Sequence, residues 1–300
     1  MGDGSVKRTN LQMYGMTASI LVIGLAASPL LAHHQWGTYA WANGPVTAPV
    51  VDNTDSRWTA YVDQAVADWN ASPHISAAIE SGNNSSCSMV TGTIQVCNGD
   101  YGANGWLGLA SIAISSGKII AGTTKLNDNY FERAAYNTYS WRQLVTCQEI
   151  GHDYGLGHQN ENFSTDETLS CMEYTSWPQD NEHPDAHDYE ELGWMYGGGT
   201  GGDGGDTGDG GTGGGGKGGG KGGGGGGGKP DGTGGGKGKN KARVALPAVG
   251  NTPDTWGRPV DYLPNGKPFK FEKSVAGVKF VTHVTWTPDD YEGGHDEHAH

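Results

Sequence analysis

The chain has 300 residues with 53 glycines, and its formal net charge at pH 7 is −14. Since 29 of those glycines lie between Gly197 and Lys239, that stretch adds nothing to a core, and one domain of catalytic size is expected over residues 33–196. This domain carries 20 acidic against 5 basic residues, so it repels phosphate backbones, and neither nucleic acid nor anionic membrane is an expected partner.

Residues 1–32 are typical of a cleaved signal peptide. Lys7 and Arg8 precede an apolar run over residues 16–32, which ends on a small residue suited to cleavage. A transmembrane anchor is the alternative, but this run of 17 residues contains Pro29 and is shorter than the about 20 residues that a bilayer requires. We therefore expect a secreted, extracellular protein with no membrane span after signal cleavage.

The first part of the domain predicts a helix followed by strands. Apolar residues recur at helical spacing over residues 55–70, which indicates an amphipathic helix. Over residues 75–127 short runs of strand character, such as TIQVC, LASIAI and KIIAGTTKL, alternate with Gly, Asn and Asp turns. A small twisted sheet is therefore expected after the first helix.

Two further helices are predicted on either side of an irregular loop. A capping box of Ser140 and Gln143 begins the second helix, and Gly155 marks its end. The third helix is expected from about His187 to Met195, where apolar residues again recur at helical spacing.

Four cysteines in a secreted chain favour disulfides over free thiols. Three connectivities are possible. Cys87 and Cys97 flank a short segment with the character of a hairpin, so their pairing closes the smallest loop and leaves Cys147 to pair with Cys171. Buried free thiols, or a different pairing, are the alternative.

The C-terminal third predicts little regular structure. Residues 197–242 form a flexible Gly-rich linker, because almost no apolar side chain offsets the backbone entropy that folding would cost. A calcium-binding β-roll is not expected there, since its repeats each need a large apolar residue. Within residues 243–300, the alternation over residues 278–286 predicts one strand of a small appended unit of unknown role. The final GGHDEHAH is interpreted as a solvated tail rather than a metal chelator.

The segment QEIGHDYGLGH, from Gln148 to His158, carries the chemistry. Gln148 and His152 are one helical turn apart, so their side chains leave the same face. Gly155 allows a sharp turn at the helix end, so that His158 can supply another ligand to the same point. A metal bound in this way keeps a position for water, and Glu149 can take a proton from that water and deliver it to a leaving amine.

This segment resembles the signature of the metzincin zinc metalloproteases, HExxHxxGxxH followed by a Met-turn, with Gln148 in place of the first histidine. The later segment SCMEY places Met172 where the Met-turn is expected. Tyr174 matches the tyrosine that can approach the metal and stabilise the oxyanion in astacin-like and serralysin-like members. VADWNASP and DYEELGWMYG are similar to stretches of matrixins, so the resemblance covers roughly residues 55–197.

The resemblance implies an α+β fold: a twisted, mixed five-stranded sheet, an active-site helix, and a C-terminal subdomain with the Met-turn. It implies a monomeric, secreted zinc metalloendopeptidase that acts on protein or peptide substrates. The implied metal ligands are Gln148, His152 and His158, and the implied catalytic residues are Glu149 and Tyr174. A Cys147–Cys171 disulfide would tie the Met-turn beneath the metal-binding helix.

Gln148 is the departure from the family pattern, because an amide oxygen is a weaker zinc ligand than an imidazole. Three outcomes are open: Gln148 binds zinc through its side-chain oxygen, Tyr174 or a nearby carboxylate completes the site, or the metal is lost. The first two predict a working peptidase. The third predicts a catalytically impaired domain that binds peptides or proteins without cleaving them. His183 and His187 are interpreted as surface or supporting groups.

Overall fold

The computed structural model describes residues 1–2, 33–165, 168–198 and 242–288. Almost all of the predicted signal peptide and of the predicted linker, and the whole GGHDEHAH tail, lie outside the described residues. The described residues from His33 onward cluster as one compact unit, which includes the C-terminal segment of residues 242–288.

Short strands and five helices make up the regular structure of the described residues. The strands are β1 Ala40–Trp41, β2 Val50–Asp52, β3 Ile79–Ser81, β4 Ile94–Gly99, β5 Trp106–Ser115, β6 Lys118–Asn127, β7 Arg258–Tyr262, β8 Pro268–Val275 and β9 Val278–Trp286. The helices are α1 Thr59–Trp69, α2 Asp128–Phe131, α3 Tyr139–Asp153, α4 Ala186–Tyr196 and α5 Pro253–Trp256, with a 3-10 turn at Pro178–Asp180.

All nine strands belong to one mixed sheet, in the order β3-β2-β4-β6-β5-β9-β8-β7, with β1 beside β6. Strand β2 pairs in parallel with β3 and with β4, and β4 pairs in parallel with β6. The remaining ladders, from β6 through β5, β9 and β8 to β7, are antiparallel. The prediction of an α+β fold with a mixed sheet is therefore confirmed at this level.

The helices begin and end where local hydrogen bonds cap them, and some of these positions differ from the predicted ones. The second predicted helix is α3, but its cap is Thr138 rather than Ser140: Thr138 has an extended backbone, and its hydroxyl accepts a hydrogen bond from the Trp141 amide at 3.2 Å. Ser140 lies inside the first turn and cannot serve as the cap. Gly155 follows the helix with φ of 97°, as its predicted role at the helix end requires.

The other two helices also differ slightly from prediction. The first begins at Thr59, later than predicted, because Asp55 accepts hydrogen bonds from the backbone and side chain of Arg57 and so belongs to the preceding turn. The third runs over Ala186–Tyr196 from a capping box of Asp185 and Asp188.

The predicted hairpin between Cys87 and Cys97 is wrong, although the two cysteines form the predicted disulfide. Only β4 lies in this segment, and it pairs in parallel with β2 and β6. The residues before β4 instead contact the C-terminal segment, with a bridge from Val90 to Ala245. Long-range pairing thus replaces the local turn.

The predicted small appended unit is instead a continuation of the main sheet. Strand β9 pairs with β5 from Trp106 opposite Trp286 to Ile114 opposite Lys279. Phe280 and Val284 enter a core on one face of the sheet, whereas Val281 enters the core formed with the helices on the other face. Because both faces of β9 are covered, the strand is central, although its alternating sequence is typical of a strand with one solvated face.

Lys125 ties the C-terminal segment to β6. Its ammonium is buried and donates to the Val249 carbonyl at 2.6 Å and to Asn251 Oδ1 at 2.8 Å. Burial, together with the smaller effect of the positive charge of Lys273, lowers the pKa of Lys125 from 10.5 to about 8.

This pKa predicts a pH dependence of stability. Between pH 8 and 10.5 the unfolded chain holds more protons at Lys125 than the folded chain, so the free energy of unfolding rises with pH. From pH 7 to 9 we expect a gain of about 1 kcal/mol in the wild type relative to Lys125→Met, measured by urea unfolding at each pH.

Lys118→Met, an exposed lysine on the same strand, is the matched control and should keep the wild-type pH dependence. Identical pH profiles for wild type and Lys125→Met would show that Lys125 keeps an ordinary pKa and that the C-terminal segment is not packed on β6 as described.

Candidate metal centre

Three histidines converge beside the C-terminal end of α3. His152 lies in the last turn of α3, His158 follows the turn at Gly155, and His283 lies on β9. Nε2 of His152 is 3.1 Å from Nε2 of His158 and 3.1 Å from Nδ1 of His283. All three side chains are buried, and one ligand atom from each lies within 4.8 Å of the others. Three imidazoles are a known ligand set for catalytic zinc.

The hydrogen bonding of His152 fits a shared cation. Its Nδ1 lies 2.8 Å from the Leu156 carbonyl, which can only accept, so Nδ1 carries the proton and Nε2 presents a lone pair. Nitrogens of both other histidines lie at 3.1 Å from that lone pair, and a single lone pair cannot accept two good hydrogen bonds. A cation bound by three nitrogen lone pairs would satisfy all three rings.

The protonation states also fit metal binding. Burial lowers the pKa of His152 to about 3, and burial together with the charge of the neighbouring histidines holds the pKa of His158 and of His283 well below the usual range. All three rings are therefore neutral at physiological pH, which is the form that binds metal.

Gln148 lies on the same face of α3, but its amide is fully engaged by the protein. Its nitrogen donates to the carbonyls of Cys171 and Glu173 at 2.9 and 3.0 Å, and its oxygen accepts from the Thr285 hydroxyl at 2.6 Å. In this arrangement Gln148 connects α3 to the loop around Met172 and to β9. A direct role for Gln148 in binding a metal stays a prediction, and His283 supplies the third donor beside His152.

Glu149 is completely buried between α3 and β5. A Cβ added at Gly108 of β5 would lie 2.3 Å from Glu149 Oε1, so only a glycine permits this approach. Neither carboxylate oxygen has a hydrogen-bond partner of good geometry among the described residues. Burial raises the pKa of Glu149 to about 8, against the smaller opposing effects of the Thr285 hydroxyl and the Ala110 backbone.

Tyr174 packs on His158, whereas Met172 packs against α3. The Tyr174 ring packs 4.3 Å from the ring of His158, and its hydroxyl donates to the Val284 carbonyl of β9. Met172 is buried under α3 at Gly151. The predicted Cys147–Cys171 disulfide is present and joins α3 to the residue before Met172.

A pocket of about 180 Å³ reaches the cluster. His158, His283 and Phe269 line it together with residues of the segment that begins at His33. Trp36 of that segment stacks on His152 with ring centroids 5.3 Å apart. This volume is large enough for an ion or a very small molecule, but it is smaller than the roughly 300 to 1,000 Å³ of typical ligand sites.

The predicted site residues are therefore gathered in one place, and one further residue was missed by the sequence analysis. His283 is the only member of the cluster that the motif does not contain. The available signal was a single histidine, flanked by Thr282 and Val284, within the alternating pattern that predicts the strand. His183 lies elsewhere, exposed and 2.7 Å from Asp68, in agreement with its predicted surface role.

No protein-family model matches this chain, and no curated protein matches it significantly. Among the described residues, no helix is both long enough and apolar enough to cross a bilayer. The function must therefore be argued from the site itself.

Proposed function

We propose that the chain is a secreted, zinc-dependent metalloendopeptidase of metzincin type. The observation that carries this proposal is the convergence of His152, His158 and His283 on one point, at the end of the helix that also carries the buried Glu149 in the segment QEIGHDYGLGH. Neutral imidazoles and an adjacent carboxylate are the groups that metal-assisted peptide hydrolysis requires.

The architecture supports the same proposal. Strands β3, β2, β4, β6 and β5 form a mixed five-stranded sheet in which β5 alone is antiparallel to its neighbour, and α1 and α3 pack together on one face. Met172 lies beneath α3, and the two disulfides suit an extracellular protein. These features support the fold that the resemblance to metzincins implies, although here the five strands belong to a nine-stranded sheet.

His152, His158 and His283 would hold the zinc, which when bound supplies Lewis acidity and an acidified water. The Leu156 carbonyl fixes the ring of His152 so that Nε2 faces the other two histidines. Glu149 would serve as the general base in its ionised form, taking a proton from the attacking water and returning it to the leaving amine. Since burial raises the pKa of Glu149 to about 8, its ionisation near neutral pH would depend on the positive charge of a bound cation, which lowers the pKa of a nearby carboxyl. The Tyr174 hydroxyl, fixed by Val284, is positioned beside His158.

A second function is a domain that binds peptides without cleaving them. It is favoured by the amide of Gln148, whose nitrogen and oxygen are both bonded to other residues of the protein. The two functions differ in whether Glu149 is needed for turnover, because a binding domain has no use for a proton acceptor at this position.

Glu149→Gln therefore provides the test. We expect the wild type, purified without chelators or an affinity histidine tag, to contain close to one zinc per chain and to cleave labelled, unfolded casein slowly. Glu149→Gln should keep its zinc but lose at least about 100-fold in cleavage rate, the scale of general base catalysis. Elemental analysis and initial rates measure the two effects.

Glu190→Gln, at an exposed glutamate on α4, is the matched control and should cleave at the wild-type rate. A zinc-loaded wild type whose cleavage rate equals that of Glu149→Gln would support the binding domain. A chain that takes up no zinc even after incubation with the metal would contradict both the zinc site and the peptidase.

A further inference from the structure

Strand β9 covers what would otherwise be an edge of the sheet. Without residues 258–286, β5 would be the last strand beside β6, with a free row of backbone donors and acceptors. Such an edge is where an extended peptide can add a strand and pair through its backbone. Since Glu149 lies against Gly108 of β5, a peptide paired with this edge would pass directly beside the candidate site.

Three consecutive residues of β9 engage the predicted site residues. His283 places Nδ1 at 3.1 Å from Nε2 of His152, and Thr285 donates to Oε1 of Gln148 at 2.6 Å. The carbonyl of Val284 accepts from the Tyr174 hydroxyl. The strand therefore covers the β5 edge and contacts the site at the same time, in antiparallel register with β5.

We propose that β9 is an intramolecular occupant of the peptide-binding edge, which keeps this chain latent until an extended peptide or another event displaces it. This proposal rests on the proposed function and adds its regulation. Because β9 belongs to the same chain, its effective concentration at β5 is on the order of mM, so that a free peptide at lower concentration competes poorly.

Displacement of β9 would also change the donors around the metal position. His283 leaves together with the strand, and Gln148 Oε1 loses the Thr285 hydroxyl. The zinc that His152, His158 and His283 would hold in the latent chain would then keep His152 and His158, and Gln148 would replace His283 as the third donor, which gives the ligand set that the family resemblance implies. In the latent chain, by contrast, His283 lies beside Nε2 of His152, and the Thr285 hydroxyl is bonded to Oε1 of Gln148.

Thr282→Asp in the full chain tests the proposal. The Thr282 hydroxyl is buried and lies 2.8 Å from the Ser111 hydroxyl of β5, so a carboxylate at this position opposes docking of β9. At saturating zinc we expect labelled casein to be cleaved at least 20-fold faster than by wild type. A fluorescent peptide of residues 278–287, VKFVTHVTWT, should bind the variant at least 10-fold more tightly than it binds wild type.

Two further variants keep the test decisive. Ser274→Asp places the same charge at an exposed position of β8 and should match wild type in both assays. Thr285→Val removes the hydroxyl that donates a hydrogen bond to Oε1 of Gln148. Even if Thr282→Asp does not fold, Thr285→Val should raise casein cleavage several-fold and hasten hydrogen exchange in β9.

The outcomes separate this proposal from the proposed function. One outcome is that cleavage depends on Glu149, but the folded β9 variants cleave no faster than wild type and do not bind the peptide. This outcome would overturn the latency and leave the peptidase intact. Peptide binding by Thr282→Asp without cleavage would support β9 as the occupant of a binding edge and overturn the peptidase. Absence of both in folded, zinc-loaded variants would overturn both proposals.

Discussion

His283→Ala should weaken zinc binding by at least about 100-fold. The histidine contributes one of three neutral ring nitrogens within 4.8 Å of one another, and even outer partners of metal ligands typically contribute 10- to 100-fold in affinity. Alanine keeps the backbone pairing of β9 with β5, so Gln148 stays bonded to Thr285 and cannot readily replace the lost nitrogen. Competition titration with a zinc chelator of known affinity measures the dissociation constant.

His183→Ala is the matched control, because the side chain of this histidine is half-exposed and bonded to Asp68, and it is not part of the histidine cluster. Its zinc affinity should equal that of wild type. If His283→Ala, shown by circular dichroism to be folded, bound zinc within threefold of wild type, then His283 would not be a ligand. The ligand set of Gln148, His152 and His158 implied by the family resemblance would then be favoured in the intact chain as well.

The parts of the site that could be predicted are those fixed by local geometry. The spacing of Gln148 and His152 places both side chains on one face of α3, and Gly155 adopts the positive φ that brings His158 back to the helix end. Both properties follow from one helical turn and one glycine. The disulfides were also predictable from local spacing, since Cys87 and Cys97 are the closest pair along the chain and their pairing leaves only Cys147 and Cys171 to pair with each other.

The parts that could not be predicted depend on long-range pairing. His283 is 131 residues from His152 along the chain, and no local pattern specifies that β9 pairs with β5. An alternating strand sequence is typical of one solvated face, but here the polar members Thr285 and His283 bond to the residues of α3. The polar positions of β9 therefore face the site rather than solvent, and a separate unit was wrongly predicted.

Gly151→Ala should lower the free energy of unfolding by about 3 kcal/mol. A Cβ at this position would lie 2.5 Å from Sδ of Met172 and 2.5 Å from Cζ2 of Trp69, and overpacking of this kind typically costs 1 to 3 kcal/mol or more. Met172 can rotate away, but the Trp69 ring is fully buried and is fixed by a hydrogen bond to the Cys147 carbonyl at 3.0 Å. Urea unfolding measures the change.

Gly193→Ala is the matched control, because Gly193 is also inside a helix but a Cβ there would meet its nearest neighbour, Nε2 of His74, at 3.6 Å. Alanine is about 1 kcal/mol more favourable than glycine in a helix, so this variant should be as stable as wild type or more so. Opposite signs for the two substitutions would support the close packing of Met172 and Trp69 against α3. A stabilising Gly151→Ala would instead mean that the helix is not packed this closely, and that Met172 does not support the floor of the metal centre.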